Sequence, residues 1–257
     1  MPGATPGGSG SLYDVIGVGY AGVRTPDPRI EARLHAELGG AWRVLNVGAG
    51  AGSYEPTDRS VTAVEPSLAM LGQRPIGAAT AVRAVADRLP FPDRGFDAAM
   101  ALLTVHHWPD PAAGLTELRR VTTGPVVVLT FDKAVHEQQW LVTDYLPAMA
   151  GLDVGHLSPA EIVNALRGGS VEIMSVPADC ADGFCHAWWR RPEAYLDPIV
   201  RAAISGIARL PKRDVADAMD RLRADLDDGS WQRRHRDLLE RTEIDAGYRI
   251  VTSPGTS

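Results

Sequence analysis

The run Gly48-Ala49-Gly50-Ala51-Gly52 follows a short apolar stretch, and Glu65 closes the next one. Glycine lets a chain turn tightly and lets a ligand approach the backbone where a Cβ would block it. A carboxylate at the end of a neighbouring strand can accept both hydroxyls of a ribose. In an open α/β sheet, ligands bind at the carboxyl ends of the strands near the switch point, which would set the loop and Glu65 side by side. Histidine offers a base whose proton affinity lies near neutrality. His106 and His107 follow the apolar run at 96–103, and His136 follows the run at 126–129, so all three would stand at the pocket end of the sheet. His106 and His107 are candidates for a general base or a substrate contact. The alternative is that one of them packs under the sheet edge and bonds a backbone carbonyl. His35, His156, His186 and His235 carry no positional argument and are read as structural. Cys180 and Cys185 are too few for a disulfide framework or a self-contained zinc site, so free buried thiols and no metal are expected.

The elements that would position these residues are read from hydrophobic periodicity. Short apolar runs at 44–47, 61–64, 81–85, 96–103 and 126–129 read as buried parallel strands. Helical stretches at 67–74 and 110–121 lie between them, the second with Leu115, Leu118 and Val121 on one face. Strands alternating with helices give right-handed crossovers and a parallel sheet covered on both faces. Before the first strand, Asp27 and Pro28 open a helix with Ile30, Leu34 and Leu38 that ends at Gly39-Gly40. Beyond Phe131 the pattern predicts a helix over 136–151. A capping box at Ser158-Pro159-Ala160-Glu161 opens a helix through Leu166, and a strand is predicted over 171–176. A long helical block at 192–241, interrupted near Pro211 and Gly229, precedes a last strand at 248–251.

Composition narrows the class. The 257 residues are 45% hydrophobic and 23% charged, enough for one large α/β domain. A net charge of −6 with no basic run interleaved with aromatics argues against a nucleic-acid partner. No apolar run approaches the roughly 18 residues of a membrane span. Residues 1–10 are rich in Gly, Pro and Ser and read as a disordered tail rather than a signal peptide, which implies a cytoplasmic protein. The abundance of Ala, Arg and Gly suggests a bacterial source.

Glycine loop and acid alone fit two families. In dinucleotide-binding dehydrogenases the glycines are spaced G-x-G-x-x-G, whereas here they fall as G-x-G-x-G. The wider context favours the other. Val44-Leu45-Asn46-Val47 leading into the glycine loop resembles the first motif of class I methyltransferases, and Ala63-Val64-Glu65-Pro66-Ser67-Leu68-Ala69-Met70 resembles their second. Leu89-Pro90-Phe91-Pro92-Asp93-Arg94-Gly95-Phe96-Asp97, with His106-His107-Trp108 after the strand, is similar to the small-molecule, type 11 branch. The resemblance spans about half the chain, roughly 13–132. It implies a Rossmann-like, seven-stranded, mostly parallel sheet with an antiparallel last strand inserted beside the fifth, helices on both faces and a helical cap. On that frame 11–40 would be N-terminal helices and lid, 41–178 with 245–253 the core, and 179–244 a helical insertion. Residues 171–176 and 247–251 would be the two final strands.

The resemblance also implies a cofactor, S-adenosylmethionine, with S-adenosylhomocysteine as product. Gly48, Ala49, Gly50 and Gly52 would face its methionine part, Glu65 with Pro66 its ribose, and Met70 the adenine. Ala86 and Asp87 would lie at the adenine edge, and Leu103 would line the site. Two positions depart from the family pattern. Asn46 stands where an Asp is usual, and Val85 where many relatives carry an acid. An N-terminal arm with Tyr13, Asp14, Tyr20 and Arg24 would lie over the cofactor as a lid, or pack on the sheet edge. His136 and Trp140, with Tyr145, Trp188 and Trp189, would border a small-molecule acceptor, the alternative for each tryptophan being plain core. The reaction implied is in-line transfer of a methyl group to O, N or C of a small metabolite by a monomer or homodimer. Two other readings stay open: a protein of the same fold that binds the cofactor without methylating, and an NAD(P)-dependent oxidoreductase.

Overall fold

The computed structural model describes residues 24–152 and 155–255. Strands β1 (Arg43–Val47), β2 (Ser60–Val64), β3 (Thr80–Val82), β4 (Ala98–Leu102) and β5 (Val126–Phe131) run parallel. Strands β6 (Ser170–Ile173) and β9 (Tyr248–Ser253) complete a seven-stranded sheet of order β3-β2-β1-β4-β5-β9-β6, with β9 antiparallel to both its neighbours. The short strands β7 (Val176–Pro177) and β8 (Glu243–Ile244) pair separately, where the chain leaves the sheet and where it returns. The antiparallel strand beside the fifth is therefore where the sequence resemblance put it.

Central strands here are apolar on both faces, and every residue of β5 is buried. Alternation along each strand splits them between two cores. Val44, Met100, Val127 and Leu129 pack beneath α1 (Pro28–Glu37) and the segment around Met174 to Trp189. Leu45, Ala99, Ala101, Val126 and Val128 pack against α3 (Pro111–Val121) and α5 (Pro159–Ala165). The helix starts follow from side-chain chemistry. Asp27 accepts from the Arg29 N–H with Pro28 at the first turn, Ser67 accepts from the Met70 N–H at the start of α2 (Leu68–Leu71), Asp110 accepts from Ala113, and Ser158 and Glu161 form the reciprocal capping box. A third core lies off the sheet, built by Trp140, Tyr145 and Met149 together with Tyr195, Leu222 and Trp231.

Four elements differ from the sequence expectation. The strand predicted over 81–85 is only β3, because it is the sheet edge and the chain bends away after Val82 accepts the Glu65 N–H. The helix predicted over 136–151 breaks into α4 (Lys133–His136), a wide turn at Leu141–Tyr145 and a tight one at Pro147–Gly151. Pro147 has no N–H to continue a helix and restricts Leu146 before it. The strand predicted over 171–176 ends at Ile173, and Val176 pairs with Ile244 instead of β9. The block at 192–241 breaks at Pro211 and at Gly229, whose φ is +74°. It breaks further at Asp197-Pro198 and Ile204, giving α6 (Pro198–Ala202), α7 (Ser205–Ala208), α8 (Lys212–Asp227), α9 (Ser230–Arg234) and α10 (Arg236–Leu239).

Candidate active site

The chain turns out of β1 at Gly48, whose φ is +72°, and its N–H and that of Ala49 both donate to the Val64 carbonyl at 2.8 and 3.0 Å. A Cβ on Gly48 would lie 2.0 Å from Thr104 Oγ1, so this glycine admits no side chain. Gly50, at φ +53°, would meet Met70 Cε at 3.2 Å. Glu65, buried at the end of β2, ties the loop down: its carboxylate accepts from the Gly50 N–H and from the Ser67 N–H, each at 2.9 Å. Leu103, just past β4, and Tyr54 hold left-handed backbone, with φ +53° and +63°. Such strain in residues with side chains costs roughly 1–2 kcal/mol each and gathers at functional sites.

Beneath the loop lies a charge-balanced network. The Asn46 amide donates to Glu55, and Glu55 pairs with Arg74 at 2.6 Å. An Asp at position 46 would face the Glu55 carboxylate, and the Asn removes that repulsion. The groove above the loop is lined by Asn46, Gly48, Gly50, Glu65, Met70 and Thr104, among others. It continues into a recess walled by Pro66, Val85, Ala86 and Trp108. Gly48, Glu65, Thr104 and His107 belong to both. Gly52 and Asp87 do not line either space; Gly52 sits over Arg74, and Asp87 is exposed on the turn after Ala86. Val85, where an acid is usual in the family, is likewise exposed at 41%.

At its other end the groove opens into a solvent-connected cavity, about 800 Å³ with the open space at its mouth included. Arg24, Leu103 and His107 line both. The cavity is walled by β5, the turn after β4 and α7, through Phe131, His106, Met149, Phe184, Ile204 and Tyr248. Five of the seven histidines, His106, His107, His136, His156 and His186, gather in ring contact here, with Phe131 stacked on His156 at 4.2 Å. Desolvation, then the neighbouring His107, His156, His136 and Arg209, hold His106 well below the ordinary 6.5, so it is neutral at pH 7. Burial keeps the Tyr248 phenol protonated, with its pKa raised well above 10.

The sequence expectation placed His106, His107 and His136 on this wall, and all three line it. His156 and His186, read as structural, do not line the cavity but pack against its wall, His156 on His106 and Phe131 and His186 on His136, because the loops after β5 and β7 fold back to the same sheet end. No spacing in the sequence signals that return. Arg24 is the described part of the proposed lid; its guanidinium pairs with buried Asp182 at 2.7 Å, and Asp182 also accepts from the Tyr54 hydroxyl. Tyr13 and Tyr20 lie outside the described residues. Trp140 is not brought to the cavity. Its indole N–H donates to the Trp189 carbonyl and its ring packs edge-on against Tyr145, Tyr195 and Trp231 in the third core. Trp189 and Tyr145 are core residues too, and Trp188 stacks under Arg191.

Comparison with known proteins places this architecture. A family model described as a methyltransferase domain matches residues 45–125. No curated protein sequence matches the chain. Among solved structures, a histamine-N-methyltransferase-like protein of Thermotoga maritima shares 15% identity over 96% of this chain and 99% of its own, with a TM-score of 0.54. A Haemonchus contortus phosphoethanolamine N-methyltransferase, solved with S-adenosylhomocysteine, shares 12% over 100% of this chain and 62% of its own, with a TM-score of 0.57. These two carry the fold alone. A protein described as a methyltransferase from an antibiotic biosynthesis pathway of Anabaena variabilis superposes with a TM-score of 0.85 and 31% identity. Likeness of that order over 91% of this chain and 99% of the other is family membership: the chain belongs to the class I S-adenosylmethionine-dependent methyltransferases.

Proposed function

We propose that this methyltransferase moves a methyl group to O, N or C of a small molecule held in the 800 Å³ cavity. One observation carries the reading: the groove over the glycine loop and the cavity share Arg24, Leu103 and His107, so a donor in one faces an acceptor in the other. The groove fits the donor. Gly48 and Gly50 leave backbone bare where a Cβ would intrude, and Glu65 sets a carboxylate on the groove wall, the group that would meet ribose hydroxyls. Gly48, Ala49 and Gly50 would hold the methionine part, Met70 and Pro66 would pack on the nucleoside, and the Ala86 N–H would meet the adenine edge. Gly52 would act through the loop's turn, and exposed Asp87 would reach adenine only at its rim. When bound, S-adenosylmethionine supplies an electrophilic methyl carbon on a sulfonium.

The chain's own work is then to align the acceptor and keep water out. Leu103, Phe131, Val142, Met149, Phe184 and Ile204 supply apolar walls for a small acceptor. Neutral His106 can take a proton from a hydroxyl or amine acceptor, with His107 beside it at a ring distance of 3.9 Å. Arg24 closes the junction between groove and cavity. The test is transfer of labelled methyl from S-adenosylmethionine to a panel of small hydroxyl, amine, thiol and carbon acceptors, beside calorimetric titration of S-adenosylhomocysteine and NAD. Transfer to any acceptor supports the reading. Binding of the sulfur cofactors with no transfer to any acceptor favours a binding-only relative, and binding of NAD alone an oxidoreductase.

A further inference from the structure

The cavity wall carries a donor set that methyl transfer as described does not use. His136, Cys185 and His186 each bring one ligand atom within 4.8 Å of the others. Cys185 Sγ lies 4.0 Å from His186 Nδ1, and the His136 and His186 rings are 4.1 Å apart between centroids. Thiolate and imidazole donors around a tetrahedral zinc ion stand about 3.5 Å apart, so ordinary side-chain rotations would close the set. His186 is 1% exposed and its Nε2 is buried with no hydrogen-bond partner among the described residues. A buried imidazole of that kind costs free energy unless another role repays it. His136 and Cys185 line the cavity and His186 lies behind them, so one side of the set faces the space for the acceptor.

We propose that His136, Cys185 and His186 bind one zinc-class divalent ion whose fourth position faces the acceptor cavity. One sulfur and two nitrogens suit a borderline-soft ion and do not suit magnesium or calcium. Three protein donors with an open position are the arrangement of a zinc site that works on a bound molecule. Of the cavity's cations, Arg24 is paired with Asp182 and Lys133 with Glu137, while Arg209 donates to the Leu152 carbonyl. The role of the ion rests on the methyl-transfer reading. A thiol or hydroxyl acceptor bound to it gives up its proton to a neutral imidazole or to water. The lone pair left on sulfur or oxygen forms the bond to the methyl carbon as the carbon–sulfonium bond breaks, leaving a neutral thioether and a methylated acceptor. The acceptor is then a hydroxyl, or a thiol, which adds sulfur to the acceptor atoms proposed above and sets amines and carbons aside.

The full chain, stripped with chelator under reducing conditions, is titrated with Zn²⁺ and with Co²⁺, and S-adenosylhomocysteine binding is measured on the same samples. The expected result is one ion per chain and, with cobalt, a sulfur-to-metal charge-transfer band. That band should vanish in Cys185→Ser and persist in Cys180→Ala. Affinity should fall in His136→Asn and His186→Ala by more than the roughly 10–100-fold that loss of an outer-shell partner costs. Because His186 is buried, Cys185→Ser and His136→Asn decide the matter if the His186 variant melts early. No stoichiometric ion, or a band that survives Cys185→Ser, overturns the proposal. Retained binding of S-adenosylhomocysteine in that case leaves the methyltransferase site standing and removes the metal alone.

Discussion

At the scale of single residues, Glu65 has two jobs and its variants should separate them. It anchors the Gly50 and Ser67 N–H groups, and by our proposal it also receives ribose hydroxyls. Glu65→Ala should weaken S-adenosylhomocysteine by roughly 1.5–3 kcal/mol, the worth of hydrogen bonds to a charged group, measured by calorimetry. Glu65→Gln presents an amide N–H₂ to one of the two backbone donors, so it should lower the melting temperature as well as the affinity. Unchanged affinity in both variants would remove Glu65 from the cofactor site. Gly48 and Gly39 form a second pair. Both have positive φ, +72° and +56°, but a Cβ on Gly39 meets nothing within 4 Å, while one on Gly48 strikes Thr104. Gly39→Ala should cost about 1–2 kcal/mol in urea unfolding, the price of left-handed backbone alone. Gly48→Ala should cost more than that and abolish cofactor binding, because Thr104 and the loop cannot both stay in place. Equal losses in the two variants would contradict the close approach seen at Thr104.

Between elements, the network Arg24–Asp182–Tyr54 joins three stretches far apart in sequence: the approach to α1, the end of the glycine loop and the loop after β7. Asp182 is 0% exposed, so Asp182→Ala removes the buried carboxylate that the Arg24 guanidinium and the Tyr54 hydroxyl share. Breaking such a pair should cost about 3–5 kcal/mol in denaturant unfolding. It should also loosen Tyr54, whose strained backbone ends the loop; a loss under 1 kcal/mol would mean that solvent replaces the pair. This network also marks what the sequence could and could not disclose. Strands β1, β2, β4 and β5 were legible because burial on both faces writes a continuous apolar run, and the helix starts because Asp27, Asp110 and Ser158 are caps with a local mechanism. The glycine loop and Glu65 were legible because both follow directly from strand ends. Strand β3 was overdrawn and the helices after β5 were drawn too long, since an edge strand's exit and turns at Pro147, Pro198 and Ile204 depend on what packs around them. Trp140 was misplaced for a related reason: an aromatic can fill a lobe's core or wall a pocket, and only the tertiary partner decides. His156 and His186 were missed because nothing local tells where a returning loop will end.

Across the whole molecule, the sheet presents the groove proposed for the donor, and the helical lobe, with its separate core, borders the cavity proposed for the acceptor. That division predicts how acid and bulk will act. His106 and His235 are both held below 6.5 in the folded state, chiefly by desolvation. The unfolded chain therefore binds their protons first, and stability should fall as pH drops below 6.5, by up to about 1.4 kcal/mol per pH unit for each group until its folded pKa is reached. Asp225, held down to about 2 by Tyr145 and Arg234, works at lower pH: its contribution is present above 3.8 and is lost as pH falls toward 2. Urea unfolding between pH 8 and 5 should show the first effect, with a shallower slope in His106→Asn; a flat profile would mean that the imidazoles reach water. Bulk should separate the two halves of the site. Gly206 lies on α7 against the cavity, and a Cβ there meets only the far end of the Met149 side chain, 2.9 Å away, which can move. Gly206→Phe should therefore fold and fill acceptor space without reaching the glycine loop. Displacing a bound acceptor by about 1 Å is enough to cost roughly 100-fold in turnover, so kcat/KM for the acceptor should fall at least that far. The dissociation constant of S-adenosylhomocysteine should stay within about twofold, since no residue lining the cofactor groove comes from α7. If kcat/KM fell and the dissociation constant rose together, groove and cavity would be one site responding as a unit; if kcat/KM held, the acceptor would bind elsewhere.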